Sequence, residues 1–389
     1  MKRRRENISI LGSTGSIGRS TLEIAAALGN RFRVIGLAAG SNVPLLVRQV
    51  EKFGPRVVSL KTRRDADAFK RRHRGGRVRI TFGPEGAAEV ARLAQNDIVV
   101  SAITGIDGLG PTLAAVRAGV RVALANKESL VVAGGVLKRE AAISGARIVP
   151  VDSEHSGVFQ CLAGVERKHV RRVILTASGG PFFRTPLGEL RTKTLEEALR
   201  HPRWKMGKKV TVDSATMMNK CFELIEARWL FDLESDKLDV LIHPQSVIHA
   251  LVEMRDGSVL AQLSRTDMRI PIQYALTFPD RVDSALSPLD LGRAGPLEFF
   301  PVEETRYPLY ALARAALKEG ESFPVALNAA NEIAVEAFLR REISFGRISR
   351  VVRKSMDEHV NQAVKTIDDV YAVDAETRQR AGKILKQRT

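Results

Sequence analysis

Short β-branched runs alternate with helical stretches along the first 150 residues of this 389-residue chain. Residues 7–11, 33–37, 57–60, 77–81, 98–101, 121–124 and 147–151 read as strands, and residues 20–28, 44–53, 85–93 and 112–118 as helices between some of them. This alternation predicts an α/β unit built on a doubly wound parallel sheet. From Val170 the texture changes to longer loops, with strands over 170–176, 238–242, 249–254 and 259–263. Arg255-Asp256-Gly257-Ser258 reads as the hairpin turn joining the last two, so an α+β unit follows the first. A Pro/Gly-marked stretch over 287–301 reads as a linker. Beyond it Leu309, Leu312, Ala313, Ala316 and Leu317 recur at helical spacing, and helices are expected over 333–339, 348–359 and 367–385. Thr366 and Asp369 are placed like a capping box for the last of these, and the third unit is expected to be a helical bundle.

Composition narrows the function classes. The hydrophobic content of 44% is ample for two or three cores, no run of about 18 apolar residues offers a membrane span, and no internal repeat is found. Met1-Lys2-Arg3-Arg4-Arg5 leads straight into a strand-like segment rather than a signal-peptide apolar region, so a cytoplasmic protein is expected. Cys161 and Cys221 are too few for a disulfide framework and too far apart for a metal clip; both are expected reduced and packed. The formal charge of +17 and pI near 10.2 fit a nucleic-acid binder or an enzyme of anionic ligands. Arg and Lys are scattered apart from clusters at 2–5 and 70–77, and aromatics are only 5%, so base-stacking platforms and specific nucleic-acid binding are not expected.

The first strand runs into Gly12-Ser13-Thr14-Gly15-Ser16-Ile17-Gly18 and then a helix carrying Leu22, Ile24 and Ala25. Glycines there allow a tight turn and close backbone approach, so that N–H groups at the helix start can hold a pyrophosphate. This is a Rossmann-like order, although GxxGxxG also suits a merely structural turn. After the second strand comes Ala38-Ala39-Gly40-Ser41-Asn42, with no carboxylate to repel a 2′-phosphate and with hydroxyl and amide donors at hand, which favours NADP(H). Asn42 also suits the cap of a helix beginning at Pro44.

Oxygen ligands and phosphate-holding groups concentrate between residues 150 and 228. If 150–154 is extended, Asp152 and Glu154 face one side and one cation can bridge them. On the helix after Ser214, Asn219 and Lys220 lie four and three residues before Glu223, so one surface offers phosphate donors and a third carboxylate. Asp152, Glu154 and Glu223 would suit Mg²⁺ or Mn²⁺. On residue types alone, a solvated strand edge and an ordinary amphipathic helix remain the alternative.

The motifs GSTGSIG, ALANKESLV, VDSEHSGVFQCL, TASGGPF, HPRWKMGKKVTVDSATMMNK, IEARWLF and IHPQSVIHALVEMRDGSVLAQL occur in this order. Over nearly the whole chain they resemble the 1-deoxy-D-xylulose 5-phosphate reductoisomerase family. The resemblance implies Asp152, Glu154 and Glu223 as metal ligands, and Ser178, Ser214, Asn219 and Lys220 around the substrate phosphate. It places Ser153 and Lys127 on the substrate backbone, His155 in the pocket, and residues 201–207 in a mobile flap with Trp204 over the substrate and His201 close to it. Gly12, Ser13, Thr14, Gly15, Ser16, Ile17, Gly40, Ser41, Asn42, Asn126, Glu128 and Gly207 fall on the cofactor side. Ser41 stands where relatives often carry a basic residue, and Cys221 where a small one is common, with packing its expected role; Trp229 is expected in the core.

The family implies rearrangement of a linear ketose phosphate to a branched aldehyde phosphate, then reduction by NADPH to 2-C-methyl-D-erythritol 4-phosphate, with a divalent metal ion and a homodimer through the middle domain. The expected divisions are 1–150 for the cofactor, 151–286 for catalysis, 287–305 as linker and 306–389 as helical domain. The rivals are an NADP-dependent semialdehyde or sugar dehydrogenase without isomerisation and a non-catalytic NADP-binding protein.

Overall fold

A computed structural model describes residues 4–204 and 206–387. Lys2 and Arg3 of the basic start and Lys205 of the expected flap lie outside the described residues. Through the first 150 residues run β1 (Glu6–Leu11), α1 (Ser16–Ala27), β2 (Phe32–Ala39), α2 (Val43–Phe53), β3 (Val57–Leu60) and α3 (Arg63–Arg72). They continue as β4 (Arg79–Phe82), α4 (Gly83–Ala91), β5 (Ile98–Ser101), α5 (Leu109–Arg117), β6 (Arg121–Leu124), α6 (Lys127–Ser144) and β7 (Ile148–Pro150). The seven strands form one parallel sheet in the order β4-β3-β2-β1-β5-β6-β7. Ile8, Ile10, Leu11, Ile98, Val99 and Val100 are fully buried, as expected where helices cover both sheet faces.

The expected extension over 150–154 is not what forms. The last ladder bond of β7 is donated by the Val151 N–H to the Leu124 carbonyl, and the chain then turns into α7 (Ser153–Cys161), with the Ser156 N–H donating to the Asp152 carbonyl. Asp152 is therefore the residue that opens a helix and Glu154 lies in its first turn. Period-2 facing does not relate these two carboxylates.

Beyond α7 come β8 (Val170–Ala177), the short α8 (Leu195–Ala198), α9 (Lys208–Ala215), α10 (Met218–Phe231), β9 (Leu238–Ile242), β10 (Ile248–Met254) and β11 (Val259–Leu263). Then follow α11 (Arg269–Thr277), β12 (Phe300–Pro301), α12 (Pro308–Glu319), α13 (Phe323–Leu339), α14 (Phe345–Asp357) and α15 (Ile367–Lys386). The second sheet has the order β11-β10-β8-β9-β12, with β8 and β9 parallel and the other pairs antiparallel. The turn between β10 and β11 carries Gly257 at φ +89°, closing the expected hairpin. The expected capping box is present at Thr366, with Asp369 returning the bond to its backbone.

By contacts the chain divides into two compact units, one of residues 1–129, 137–156 and 267–287, the other of 130–136, 157–266 and 288–389. In the first, α11 packs on α1. In the second, α13 is buried through most of its length and packs on α14 and α15. A helix apolar on every side has no polar stripe to show its period, so the sequence pattern marks only its end.

The long α6 breaks from helical geometry at Ala133. Beside that break the indole of Trp229 lies where a Cβ on Gly134 would sit 2.2 Å from its Cδ1. Trp229 is half-buried against this glycine pair rather than enclosed in the core.

Candidate active site

In the first unit the parallel order reverses between β1 and β5, the point at which doubly wound sheets leave a crevice beyond the strand carboxyl ends. The glycine loop stands there. Gly12 has φ +87°, and a Cβ on it would lie 2.4 Å from the Ala102 carbonyl oxygen; a Cβ on Gly18 would lie 2.3 Å from the Gly12 carbonyl oxygen. Gly12 and Ser13 donate to the Ala38 carbonyl, fixing the loop to β2, while no side chain caps α1 at Gly15. The N–H groups of Ser16 and Ile17 therefore open the helix toward the crevice, the arrangement that suits a pyrophosphate.

At the end of β2, Gly40, Ser41 and Asn42 are exposed, and the Asn42 side chain accepts from the Leu45 N–H as the cap of α2. The expectation that no carboxylate stands at this corner is corrected by the fold. Ser41 Oγ donates to Asp65 Oδ2 at 3.1 Å, from the first turn of α3. The only sequence signal for Asp65 is its place three residues after the cap Thr62, which says nothing about β2.

Asn126 caps α6 by accepting from the Ser129 N–H at 2.9 Å, and its Nδ2 donates to the Ile103 and Gly105 carbonyls. Asn126 and Glu128 are both buried; Asn126 braces the loop after β5 and also donates to Glu128 Oε2 at 3.3 Å. Beside them Lys127 Nζ pairs with Asp152 Oδ2 at 2.7 Å, and Ser153 Oγ donates to Glu154 Oε2 at 2.5 Å. His155, one residue on, is fully buried.

The second unit gathers the phosphate-type residues. After β8, Gly179 and Gly180 take φ +82° and +68°, and a Cβ on Gly180 would lie 2.5 Å from the Ser214 carbonyl oxygen, so this loop approaches α9 as only glycine allows. Ser178 Oγ thereby comes 2.9 Å from His201 Nε2, and Ser214 Oγ lies 3.1 Å from the same nitrogen. Between α9 and α10, Met217 is held at φ +66°, a costly conformation for a side chain of that size, which turns the chain so that Asn219 and Lys220 open α10. Glu223 Oε1 accepts from Asn219 Nδ2 at 2.6 Å and Glu223 Oε2 pairs with Lys220 Nζ at 2.5 Å. Lys220 and Glu223 are almost wholly buried. Cys221 is buried too, with its thiol pKa pushed up by desolvation, which makes it inert packing. Gly207 is the N-cap of α9.

Three segments of the chain match family models. Residues 8–134 match "1-deoxy-D-xylulose 5-phosphate reductoisomerase", residues 148–231 that family's C-terminal domain, and residues 263–380 the DXP reductoisomerase C-terminal domain. The chain belongs to the 1-deoxy-D-xylulose 5-phosphate reductoisomerase family. A curated relative of that name from Geobacter metallireducens is 49% identical over 380 residues, covering 98% of this chain and 99% of its own. One from Chlorobium chlorochromatii is 48% identical over 378 residues, covering 97% and 99%. Among solved structures, the Zymomonas mobilis reductoisomerase in complex with NADPH superposes with a TM-score of 0.93 at 40% identity, covering 99% of this chain and all of the other. A reductoisomerase in complex with NADPH, fosmidomycin and magnesium gives 0.92 at 38% identity, with 98% of each chain covered.

Within this reductoisomerase fold His201 has one defined state. Its Nδ1 accepts from the N–H groups of Trp204 at 2.8 Å and Arg203 at 3.2 Å, so the ring proton is on Nε2, facing the two serine hydroxyls. Burial lowers its pKa from 6.5 to about 4, in keeping with a neutral ring. Because the folded value is depressed, the unfolded chain takes up the proton first as pH falls. The neutral ring's contribution is complete above about 6.5 and is lost progressively toward about 4. The melting temperature of the native protein should therefore fall more steeply than that of His201→Gln across this interval, and parallel curves would contradict the assignment. The Trp204 indole is half-buried, its ring centroid 6.4 Å from that of His249.

Proposed function

We propose that this chain converts 1-deoxy-D-xylulose 5-phosphate to 2-C-methyl-D-erythritol 4-phosphate with NADPH and a divalent metal ion, a step of isoprenoid precursor synthesis. The observation that carries this reading is the family match, which takes in both the glycine loop and the stretch from Asp152 to Glu223 at 49% identity over nearly the full chain. The set of Asp152, Glu154 and Glu223 argues against an NADP-dependent dehydrogenase that does not isomerise its substrate.

The residues fit both groups. Asp152, Glu154 and Glu223 offer hard oxygen ligands suited to Mg²⁺ or Mn²⁺. Two of them already hold a lysine amine at 2.7 and 2.5 Å, a counter-charge of the kind a divalent ion supplies. When bound there, the ion supplies polarisation of the substrate's carbonyl and hydroxyl oxygens. NADPH, for which the Gly12 to Ile17 loop with Gly40, Ser41 and Asn42 forms the cradle, supplies the hydride.

The chain's own residues position the substrate. Ser178, Ser214, Asn219 and Lys220 hold the phosphate, with the His201 Nε2–H beside the two hydroxyls. Because the phosphate is remote from the reacting carbons, its binding energy serves to orient them and to draw residues 201–207 over the substrate, with Trp204 excluding water. Lys127 and Ser153 direct the substrate backbone, and His155 shapes the pocket wall. Asn126, Glu128 and Gly207 set the cofactor side. The functional divisions are 1–150 for the cofactor, 151–286 for catalysis, 287–305 as linker and 306–389 as helical support.

The protein is a homodimer through its middle domain. Edge strand β11 supports this, since it exposes Val259 and Leu260, and an uncovered apolar edge is a template for pairing. Sedimentation at micromolar concentration should give twice the chain mass, and a monomer would contradict it. Free thiols at Cys161 and Cys221 suit a cytoplasmic setting. Among the described residues no helix is long and apolar enough to cross a membrane.

Mixing the protein with substrate, NADPH and Mg²⁺ should consume NADPH and yield 2-C-methyl-D-erythritol 4-phosphate, and chelation of the metal should stop both. NADPH consumption without the branched product, or consumption indifferent to chelation, would sink the reading.

A further inference from the structure

The register of β2 and β3 brings a charged group to the cofactor corner that neither strand carries. Ala39 pairs with Leu60, so the loop Gly40-Ser41 leaves the sheet level with Lys61-Thr62. Thr62 caps α3, accepting from the Asp65 N–H and donating its own hydroxyl to Asp65 Oδ2 at 2.6 Å. That same oxygen accepts from Ser41 Oγ at 3.1 Å.

We propose that Asp65 is a specificity-determining residue of the cofactor site, weakening the binding of a 2′-phosphate relative to a 2′-hydroxyl. The proposal rests on the nucleotide reading above. In doubly wound folds a carboxylate at the end of the second strand selects the unphosphorylated ribose. Here the second strand ends at Ala39 with Ser41 in the loop beyond it, and the carboxylate arrives from the helix after the next strand. With its hydrogen committed to Asp65, Ser41 presents lone pairs, which accept from a ribose hydroxyl and do not donate to a phosphate. Arg63 and Arg64, exposed in the same first turn of α3, attract a phosphate, and Lys61 is drawn to Asp107 at 3.2 Å. Asp65 tempers that attraction, and the preference for NADPH is the balance between the arginines and this one carboxylate.

The test is direct titration of the full protein with NADP⁺ and with NAD⁺, without substrate. Removing one negative charge from beside a phosphate in a solvated corner should tighten binding by roughly five- to tenfold. Asp65→Asn should therefore tighten NADP⁺ by that factor, leave NAD⁺ unchanged or slightly weaker, and lose the gain at high salt. Asp65→Glu, which keeps the charge in the helix first turn, should keep the native ratio of the two affinities. An unchanged ratio in Asp65→Asn, or equal tightening of both dinucleotides, would overturn the assignment while leaving the cofactor site in place. If the native protein bound neither dinucleotide, the nucleotide reading itself would fall and this inference with it.

Discussion

Glu223→Gln should lower turnover by on the order of a hundredfold or more, the loss typical of removing one group that stabilises developing charge. The substitution changes almost no volume, so the cause is electrostatic. Glu223 is fully buried at the start of α10 and takes both Asn219 and Lys220 on its two oxygens. A glutamine keeps one acceptor but sets an amide beside the Lys220 amine or the Asn219 amide, and it removes a proposed metal ligand. NADPH affinity should stay near native, since the glycine loop is built by other residues. Steady-state rates at saturating Mg²⁺ together with NADPH titration check this; near-native turnover removes Glu223 from the chemistry.

Lys220→Ala is expected to act twice. A charge-assisted contact is worth roughly 1.5–3 kcal/mol, so affinity for the phosphorylated substrate should fall by about ten- to a hundredfold. The same change takes the amine from a buried carboxylate 2.5 Å away, and breaking a buried pair by deleting one partner costs roughly 3–5 kcal/mol. The variant should melt well below the native protein, and Lys220→Ala combined with Glu223→Gln should recover part of that loss, because the stranded charge is gone. Calorimetric melting of the three variants, with substrate titration at a temperature where all are folded, separates the two effects. A melting loss without a loss of substrate affinity would leave Lys220 as a structural partner of Glu223 and move the phosphate elsewhere.

Legibility in the sequence followed how local the signal was. Alternating apolar runs located all seven strands of the first sheet to within two or three residues, because each buried parallel strand is a short continuous apolar run bounded by polar turns. The Gly12 loop was legible since its order of strand, glycines and helix is contiguous, and the structure adds the close approach to Ala102 that demands Gly12. The pattern marks α13 only at its end and does not mark α3, α6, α7, α8, α9 or α11. α3 is strongly charged, α6 bends at Ala133, and α7 and α9 are short, so each blurs the helical period.

The chain's own order of residues determined that a glycine loop between a strand and a helix, three carboxylates at 152, 154 and 223, and an Asn-Lys pair opening a helix ahead of Glu223 exist in one protein, because each is written in consecutive residues or at helical spacing. Asn219 and Lys220 preceding Glu223 on one face needed nothing beyond the 3.6-residue turn. Only tertiary structure decided that Ser178, His201 and Ser214 share one ring nitrogen, that Asp152 opens a helix, and that Asp65 stands on Ser41. The physical reason is that these pairings depend on strand register, on glycines that permit backbone approach at Gly180, and on a strained turn at Met217. Those features arise from packing between segments distant in sequence, and a local pattern of hydrophobic and polar residues carries no record of them.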